Sequence, residues 1–321
     1  MTLTRTLRIG TRASSLARTQ TDAVAAALGV PVEIVPIVTE GDRSRAALAQ
    51  IGGTGVFVSA LRRALVDEEI DLAVHSFKDL PTAAFAGVVV GAVPVREDPR
   101  DALVARDGLT LGELPPGSRI GTGSPRRAAQ LRALGLGLEI VDLRGNVDTR
   151  LARVRGHSDA ADLDAVVLAY AGLRRLGRAE VVTEVLDPIQ VLPAPAQGAL
   201  AVECRAADAP VLDVLRTIDH PETRCAVAAE RALLAALEAG CSAPVGALAV
   251  VAESDEPAGP ADPAAEGRLE IFLRGSVTAV DGSAAVRLSA TGPTTDADGV
   301  GRRLAADLLA EGADTMMGSS T

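Results

Sequence analysis

One helix start in this chain of 321 residues combines several groups that bind anions. Ser124 follows a short predicted strand and is a natural helix N-cap, and Pro125 suits the first helical position. A helix start offers free N–H groups and a partial positive charge. Arg126 and Arg127 add planar guanidinium groups suited to carboxylates. Alone, this segment would indicate only a capped helix with exposed arginines.

Hydroxyl side chains, cationic side chains or both recur where other predicted strands end. In an open α/β sheet, ligands bind beyond the carboxyl ends of the strands. The recurrence therefore favours a binding site for a small anionic ligand, although a helix-surface arginine is more often simply solvated. The residues concerned are Arg12 with Ser14, Ser76 with Lys78, Thr122 with Ser124, and Arg144 with Arg150.

One carboxylate lies among these cations. Asp79 is on a loop that follows the predicted buried strand Asp71–Val74 and precedes Leu80 and Pro81, which should stiffen the loop. A carboxylate in this position would stabilise a developing cation or transfer protons. An adjacent Lys–Asp pair on a surface turn is usually solvated instead. We expect His75 to be a structural hydrogen bonder and not the base.

Cys241 has no evident packing role. It lies on a Gly/Ser/Pro turn, residues 240–246, directly after the helical run Ala226–Ala239. No cysteine or histidine stands at metal-ligand spacing from it, so no metal site is predicted. A buried small hydrophobe is the commoner case. The alternatives are a covalently attached group, or a nucleophile for acyl transfer, which would need a base nearby.

The composition disfavours several classes of partner. The formal net charge is −10, and an acidic chain does not attract nucleic acid or an anionic membrane. The chain has three cysteines and no CxxC motif, which fits a reducing compartment. No signal peptide and no apolar run of about 18 residues is visible. We expect a cytoplasmic monomer without nucleic-acid or membrane partners.

Alternating short strands and helices predict two α/β domains with mostly parallel sheets. Pro-containing segments at 96–100 and 192–195 indicate that the chain leaves the first domain and later returns to it. The first domain is predicted at 1–95 and 196–216, and the second at 100–192. The predicted strands are Leu7–Thr11, Val32–Val38, Asp71–Val74, Val88–Val93, Ala102–Ala105, Arg119–Gly121, Leu138–Val141, Ala165–Leu168 and Ala199–Glu203, with helices from Ser14 or Ser15 to Leu28 and over Gly55–Glu68.

A smaller α+β domain is predicted at 220–321. A long helix precedes three strands and a final helix in this part of the chain. The segment Ala252–Gly267, rich in Ala, Pro and acidic residues, is expected to be a mobile surface loop without an assigned function. The predicted strands are Val245–Val251, Arg268–Arg274 and Ala285–Ala290, and the final helix covers Asp296–Leu309.

With these segments in hand, the chain resembles the porphobilinogen deaminase family, also called hydroxymethylbilane synthase. The resemblance runs over nearly the whole length, and its motifs together are highly specific. They are IGTRASSLA at 9–17, GGTGVFV at 52–58, AVHSFKDLP at 73–81, REDPRD at 96–101, SPRR at 124–127, LRGNVDTR at 143–150, AGLRRLG at 171–177, QGA at 197–199, ECR at 203–205 and GCSAPVG at 240–246.

The resemblance implies two α/β domains similar to periplasmic binding proteins and a C-terminal α+β domain that bears a cofactor. It implies a transferase of porphyrin and heme biosynthesis. Four porphobilinogen molecules are joined head to tail with release of ammonia, and water frees the linear tetrapyrrole hydroxymethylbilane. The implied cofactor is a dipyrromethane primer, joined by a thioether to the cysteine that matches Cys241.

The resemblance also implies roles for individual residues. Asp79 matches the catalytic aspartate, which protonates the leaving amine and stabilises the resulting cationic azafulvene. The arginines match groups that bind the acetate and propionate side chains of each pyrrole. The implied cofactor-binding residues are Lys78, Ser76, Thr122, Ser124, Arg126, Arg127, Arg144 and Gly145, and the implied substrate-binding residues are Arg12, Ser14, Gln20, Arg150, Arg175 and Gln197.

The chain departs from some members of the family near its glycine loop. Lysines of those members are replaced by Gln50 and Thr54, so loop cations are not required, or Arg43 or Arg45 supplies the charge. A non-catalytic anion-binding protein of the periplasmic type is the alternative. That reading explains the paired α/β domains and the arginines, but it does not explain Asp79 or Cys241.

Overall fold

The structure is a computed structural model, and it describes residues 5–37, 55–159, 161–238, 243–254 and 268–317. The chain divides into two compact units. The first unit comprises Met1–Asp98, Arg174–Gly177 and Gly198–Arg224, and the second comprises Pro99–Leu173, Arg178–Gln197 and Cys225–Thr321. The division into three domains is a finer statement and stays a prediction.

The described elements follow the predicted alternation of strands and helices. The strands are β1 Leu7–Thr11, β2 Val32–Pro36, β3 Leu72–Ser76, β4 Val88–Ala92, β5 Asp101–Ala105, β6 Arg119–Gly121, β7 Glu139–Val141, β8 Ala165–Ala169, β9 Glu184–Val185, β10 Leu200–Arg205, β11 Val245–Glu253, β12 Leu269–Thr278 and β13 Ala285–Pro293. The α-helices are α1 Ser15–Leu28, α2 Gly55–Val66, α3 Pro125–Ala133, α4 Val147–Leu151, α5 Tyr170–Arg175, α6 Ala209–Leu215, α7 Pro221–Ala236 and α8 Ala297–Ala310.

The sheet of the first unit has the strand order β2-β1-β3-β10-β4. Strand β1 is parallel to β2 and β3, whereas β10 is antiparallel to β3 and β4. Strands β1, β2, β3 and β4 therefore run in one direction, which confirms the predicted mostly parallel sheet, and β10 is the exception. Strand β10 follows residues 99–197 and enters the sheet in the opposite direction.

Each face of this sheet carries its own hydrophobic core, because successive strand residues point to opposite faces. On one face Leu72 and Val74 pack with α1 and α6, and on the other Ala73 packs with α2. Helix α1 begins at the predicted cap, where the Ser14 side chain accepts a hydrogen bond from the Ala17 amide, 3.3 Å away. The helix ends at Gly29, which has a positive φ of 65°.

The second unit contains a similar mixed sheet with the order β7-β6-β8-β5-β9. Strand β6 is parallel to β7 and β8, and β5 is antiparallel to β8 and β9. Its two faces again alternate: Leu103 and Val167 belong to one core, and Val104 and Val166 to the other. The sheet is therefore an α/β layer with apolar residues on both sides.

The second unit also contains the antiparallel sheet β11-β12-β13. Helices α7 and α8 supply Leu233 and Leu304 to a core that includes Ile271 and Leu273 of β12. This arrangement confirms the predicted α+β elements, and its strands are longer than predicted. The predictions for the glycine loop, for Arg43, Arg45, Gln50, Thr54 and Cys241, and for most of the segment Ala252–Gly267 fall on residues outside the described ranges.

Candidate active site

The turn that carries Asp79 is anchored to its own sheet. Strand β3 continues directly into a 3₁₀ turn, Phe77–Asp79, whose first residue is buried. The Phe77 amide donates to the Ala199 carbonyl at 3.0 Å, and the Leu80 amide donates back to the Phe77 carbonyl at 3.1 Å. Within the described ranges the half-buried Asp79 carboxylate makes no hydrogen bond and no ion pair. The fold therefore fixes the turn and leaves this carboxylate available for a ligand.

A buried charge cluster lies behind this turn, on β3 and β10. The Glu203 carboxylate is bound by Arg62, whose Nη2 donates to Oε1 at 2.7 Å, and His75 Nε2 lies 3.2 Å from Oε2. Burial alone would raise the pKa of Glu203, but His75 and Arg62 together hold it below its ordinary value. His75 thus lies beside a buried carboxylate, and its role as a structural hydrogen bonder stays a prediction.

Gln20 and Ser76 meet through their side chains. Gln20 Nε2 donates to Ser76 Oγ at 2.9 Å, and Gln20 is buried on the inner side of α1. Ser76 precedes the turn of Asp79 directly, so the contact ties α1 to the end of β3. Arg12 and Ser14 lie between β1 and α1, where both are half-buried.

Arg175 reaches the same part of the first unit. Its Nη2 donates to the Gly198 carbonyl at 2.6 Å, and Gly198 adjoins the Ala199 carbonyl that anchors the Asp79 turn. Burial lowers the pKa of Arg175, although the negative charge of Glu97 opposes the shift. Gly198 has a positive φ of 87°, and a Cβ there would lie 2.3 Å from the Glu97 carbonyl oxygen, so the position requires glycine.

In the second unit, the start of α3 forms as predicted. The Ser124 side chain accepts from the Arg127 amide at 3.5 Å, and Thr122 Oγ1 accepts from the Ser124 amide at 3.2 Å. Pro125 occupies the first turn. The hydroxyls of Thr122 and Ser124 are therefore used, at least in part, in shaping this turn.

Arg126 and Arg127 are not solvated: they are only 3% and 5% exposed. Both bind Asp101, which is 0% exposed at the start of β5. Arg126 Nη2 lies 2.7 Å from Oδ2, and Arg127 Nε lies 3.0 Å from Oδ1. Gln197 completes the network, since its Nε2 donates to Asp101 Oδ1 at 2.7 Å and its Oε1 accepts from Arg127 Nη2 at 3.3 Å.

The charges of this network are strongly coupled. Burial would raise the pKa of Asp101, but the positive charges of Arg126 and Arg127, with hydrogen bonds from Arg127 and Gln197, lower it to about 2. Burial lowers the pKa of Arg126, and the neighbouring charge of Arg127 acts in the same direction. The same charge, after burial, also lowers the pKa of Arg150. Arg126 and Arg127 share the single carboxylate of Asp101, which leaves an excess of positive charge in this network.

Arg150, Arg144 and Gly145 lie on the segment that follows β7. Arg150 is half-buried, and its Nε donates to the Gly145 carbonyl at 2.8 Å. Gly145 has a positive φ of 113°. Arg144 is exposed, and its Nε lies 3.4 Å from Asp142 Oδ2. Arg144 therefore keeps more freedom to meet a ligand than Arg126 or Arg127.

In the first unit, Gln20 contacts Ser76, which directly precedes the turn of Lys78 and Asp79, and Arg175 binds the main chain beside that turn. In the second unit, Thr122 and Ser124 shape the start of α3, and Arg126, Arg127 and Gln197 meet at Asp101. Arg144, Gly145 and Arg150 lie apart from that network on the segment after β7, where Arg150 binds the Gly145 carbonyl. Asp101, Arg62 and Glu203 were not predicted as partners of these side chains. A signal was present: an aspartate or glutamate in an otherwise apolar strand must be buried with a cation.

The donor set fits an anionic group better than a metal. Among the residues that the structure describes, no group of three or more His, Cys, Asp or Glu side chains could hold a metal ion. In the same part of the chain, the buried Nε of Arg126 has no hydrogen-bond partner. Excess cations and a spare buried donor suit carboxylates such as the pyrrole side groups. No helix of the described residues is long and apolar enough to cross a membrane.

Two family models match the chain. The model described as "Porphobilinogen deaminase, dipyromethane cofactor binding domain" matches residues 7–213, and "Porphobilinogen deaminase, C-terminal domain" matches residues 224–310. Porphobilinogen deaminase of Mycobacterium tuberculosis strain H37Rv is 58% identical over 317 residues, covering 97% of this chain and 98% of the relative. That of Nocardia farcinica is 57% identical over 316 residues, covering 97% and 88%.

Two solved structures show a weaker likeness to the chain. The methionine-binding protein MetQ covers 68% of this chain and 91% of its own, with a TM-score of 0.39 and 14% identity. Immunogenic lipoprotein A of Vibrio vulnificus covers 68% and 96%, with a TM-score of 0.37 and 12% identity. The fold class itself follows from the strand orders and layers given above.

Proposed function

The chain belongs to the porphobilinogen deaminase family, and we propose that Asp79 is its catalytic carboxylate and Cys241 the residue that carries its cofactor. It is a transferase of porphyrin and heme biosynthesis that joins porphobilinogen molecules into hydroxymethylbilane and releases ammonia. This membership decides against a non-catalytic binding protein.

The availability of Asp79 supports its role most directly. Its turn is held by the Phe77 and Leu80 amides, while its carboxylate has no partner within the described ranges. Asp79 would give a proton to the amine of porphobilinogen as the carbon–nitrogen bond breaks. The resulting carboxylate would then stabilise the positive charge left on the substrate, next to the pyrrole N–H.

The neighbours of Asp79 would orient the substrate. Ser76 precedes the turn and Lys78 lies within it, and Gln20 Nε2 donates to Ser76 Oγ at 2.9 Å. Arg12, Ser14 and Arg175 would supply cationic and hydroxyl donors to the acetate and propionate groups. Holding both reacting partners in one geometry converts the addition into an effectively intramolecular step.

The second unit would hold the dipyrromethane cofactor by its carboxylates. Thr122, Ser124, Arg126, Arg127, Arg144 and Gly145 are the proposed contacts, and Arg150 and Gln197 the adjoining substrate contacts. Their excess positive charge and the unpartnered Nε of Arg126 within the described ranges fit such a group. When bound, the cofactor supplies the pyrrole carbon to which the first substrate is added.

Cys241 would hold the cofactor through a thioether, which requires a free thiol. Disulfides are rare in the reducing cytoplasm, and we propose that the enzyme works there. We also propose that it acts as a monomer on a small-molecule substrate, with no nucleic-acid or membrane partner. The net charge of −10 supports the absence of a polyanionic partner.

Incubation of the purified protein with porphobilinogen tests the proposal. We expect ammonia and a linear tetrapyrrole in a ratio of about four to one, the ratio that head-to-tail joining of four units requires. Asp79→Asn should not release ammonia, and Asp22→Asn is its matched control, because Asp22 is an exposed carboxylate on α1. A wild-type protein that binds porphobilinogen without releasing ammonia would contradict the assignment.

A further inference from the structure

Asp101 is a buried carboxylate for which the proposed reaction has no chemical step. It is 0% exposed, and its two oxygens accept from two guanidinium groups and one amide. Arg127 Nη2 also lies 2.8 Å from Oδ1, so Arg127 makes a two-pronged contact. A carboxylate buried in this way persists only with such partners.

Backbone carbonyls fix the same three side chains from the other side. Arg126 Nη1 donates to the Leu192 carbonyl, and Arg127 Nη1 donates to the Val167 carbonyl at 3.1 Å. Gln197 Nε2 also donates to the Pro99 carbonyl at 2.7 Å. The planes of both guanidinium groups are therefore set by Asp101 together with main-chain acceptors.

We propose that Asp101 is a positioning residue that holds the Arg127 guanidinium in the orientation in which it binds a carboxylate of the pyrrole chain. The proposal rests on the proposed function, because it takes the acetate and propionate groups as the ligand. Asp101 touches neither substrate nor cofactor in this account. It acts through Arg127, with Gln197 as the third member of the network.

Loss of the Asp101 charge would release the Arg127 guanidinium from this orientation. Arg126 and Arg127 are adjacent cations in a buried place, and without a counter-charge they repel each other. Among the described residues, Arg127 would then keep the Val167 carbonyl and the Gln197 amide oxygen as acceptors, and an asparagine at position 101 would offer one neutral oxygen in place of a charged carboxylate. A purely structural ion pair would cost stability when broken, but it would leave substrate recognition by the folded fraction unchanged.

Substitution Asp101→Asn, compared with Asp164→Asn, separates these two roles. Asp164 is also a buried carboxylate of the second unit that two arginines bind, Arg106 at 2.8 Å and Arg155 at 2.9 Å. We expect Asp101→Asn to raise the KM for porphobilinogen about tenfold and to lower the fraction of protein carrying the dipyrromethane, read by intact mass. Asp164→Asn should reduce thermal stability and leave both readouts unchanged.

A double-mutant cycle tests whether Asp101 acts through Arg127. In an Arg127→Gln background, Asp101→Asn should change KM by less than about twofold, because the group it orients is already gone. Equal effects of Asp101→Asn in both backgrounds would overturn the proposal. So would an unchanged KM and cofactor fraction in the single variant.

A charge-balanced variant covers the case in which Asp101→Asn fails to fold. Asp101→Asn combined with Arg126→Gln removes one charge of each sign and leaves Arg127 without its anchor. The proposal expects this double variant to fold and to have a higher KM than Arg126→Gln alone, whereas an equal KM would show that Asp101 only balances charge. Failure of the proposed function looks different, since wild-type protein would then carry no dipyrromethane and release no ammonia.

Discussion

Substitution Asp79→Asn should abolish turnover without weakening the fold. The change keeps the size of the side chain and removes its charge and its proton. The Asp79 carboxylate makes no hydrogen bond or ion pair within the described ranges, and the turn is anchored through the Phe77 and Leu80 main-chain groups. We therefore expect the free energy of unfolding to change by less than about 0.5 kcal/mol.

The loss of activity should be far larger than this change in stability. Positioned acid–base groups contribute about 100- to 10,000-fold to a rate, so kcat should fall by that amount while the KM for porphobilinogen changes little. Chemical denaturation and ammonia release, measured on one preparation, give both numbers. Asp22→Asn should leave both unchanged.

Two results would refute this reasoning. If kcat of Asp79→Asn stayed within about threefold of wild type, proton transfer by Asp79 would be excluded. If the variant lost several kcal/mol of stability, the carboxylate would have structural partners, and loss of activity would no longer indicate catalysis.

Three further predictions concern buried or strained groups. Arg62→Leu should lower the free energy of unfolding, measured in urea, by about 3–5 kcal/mol, because it leaves the buried Glu203 carboxylate without its arginine. Arg63→Leu, at an exposed site on the same helix, should lower it by less than about 0.5 kcal/mol. Equal losses would contradict a buried Arg62–Glu203 pair. The pKa of Asp101 is lowered from 3.8 to about 2, so its ionised carboxylate should stabilise the fold by about 2 kcal/mol at pH values above 3.8. This contribution should be lost as the pH falls through 2. The free energy of unfolding should therefore fall with pH in this range for wild type and not for Asp101→Asn. Gly198→Ala should lower the melting temperature, because its Cβ would lie 2.3 Å from the Glu97 carbonyl oxygen at a φ of +87°; an unchanged melting temperature would show that the segment relaxes freely.

The elements and the start of α3 were predictable because their signals are local. Ser124 and Pro125 mark a helix start in any context, and the structure places the start there. Ser14 likewise caps α1. The direction of β10 was not predictable in this way, because it depends on where the chain re-enters the sheet after residues 99–197.

The burial and ion pairing of the arginines depend on contacts between residues far apart in the chain, which no local sequence pattern encodes. Arg126 looked like a surface cation on a helix start, yet it is 3% exposed and bound to Asp101, which lies 25 positions earlier in the chain. Arg62 and Arg63 are adjacent on α2, and only Arg62 binds Glu203, which the pairing of β3 with β10 places beside β3. Sequence therefore indicated which residue types form the site, and the fold decided which of them are already paired.

The intact mass of the purified protein tests the central claim most directly. Wild-type protein from cells that make porphobilinogen should carry an added mass of two pyrrole units, located by peptide mapping on Cys241. Cys241→Ser should be folded and lack that mass. A wild-type protein with unmodified mass, or an adduct that persists in Cys241→Ser, would contradict the account.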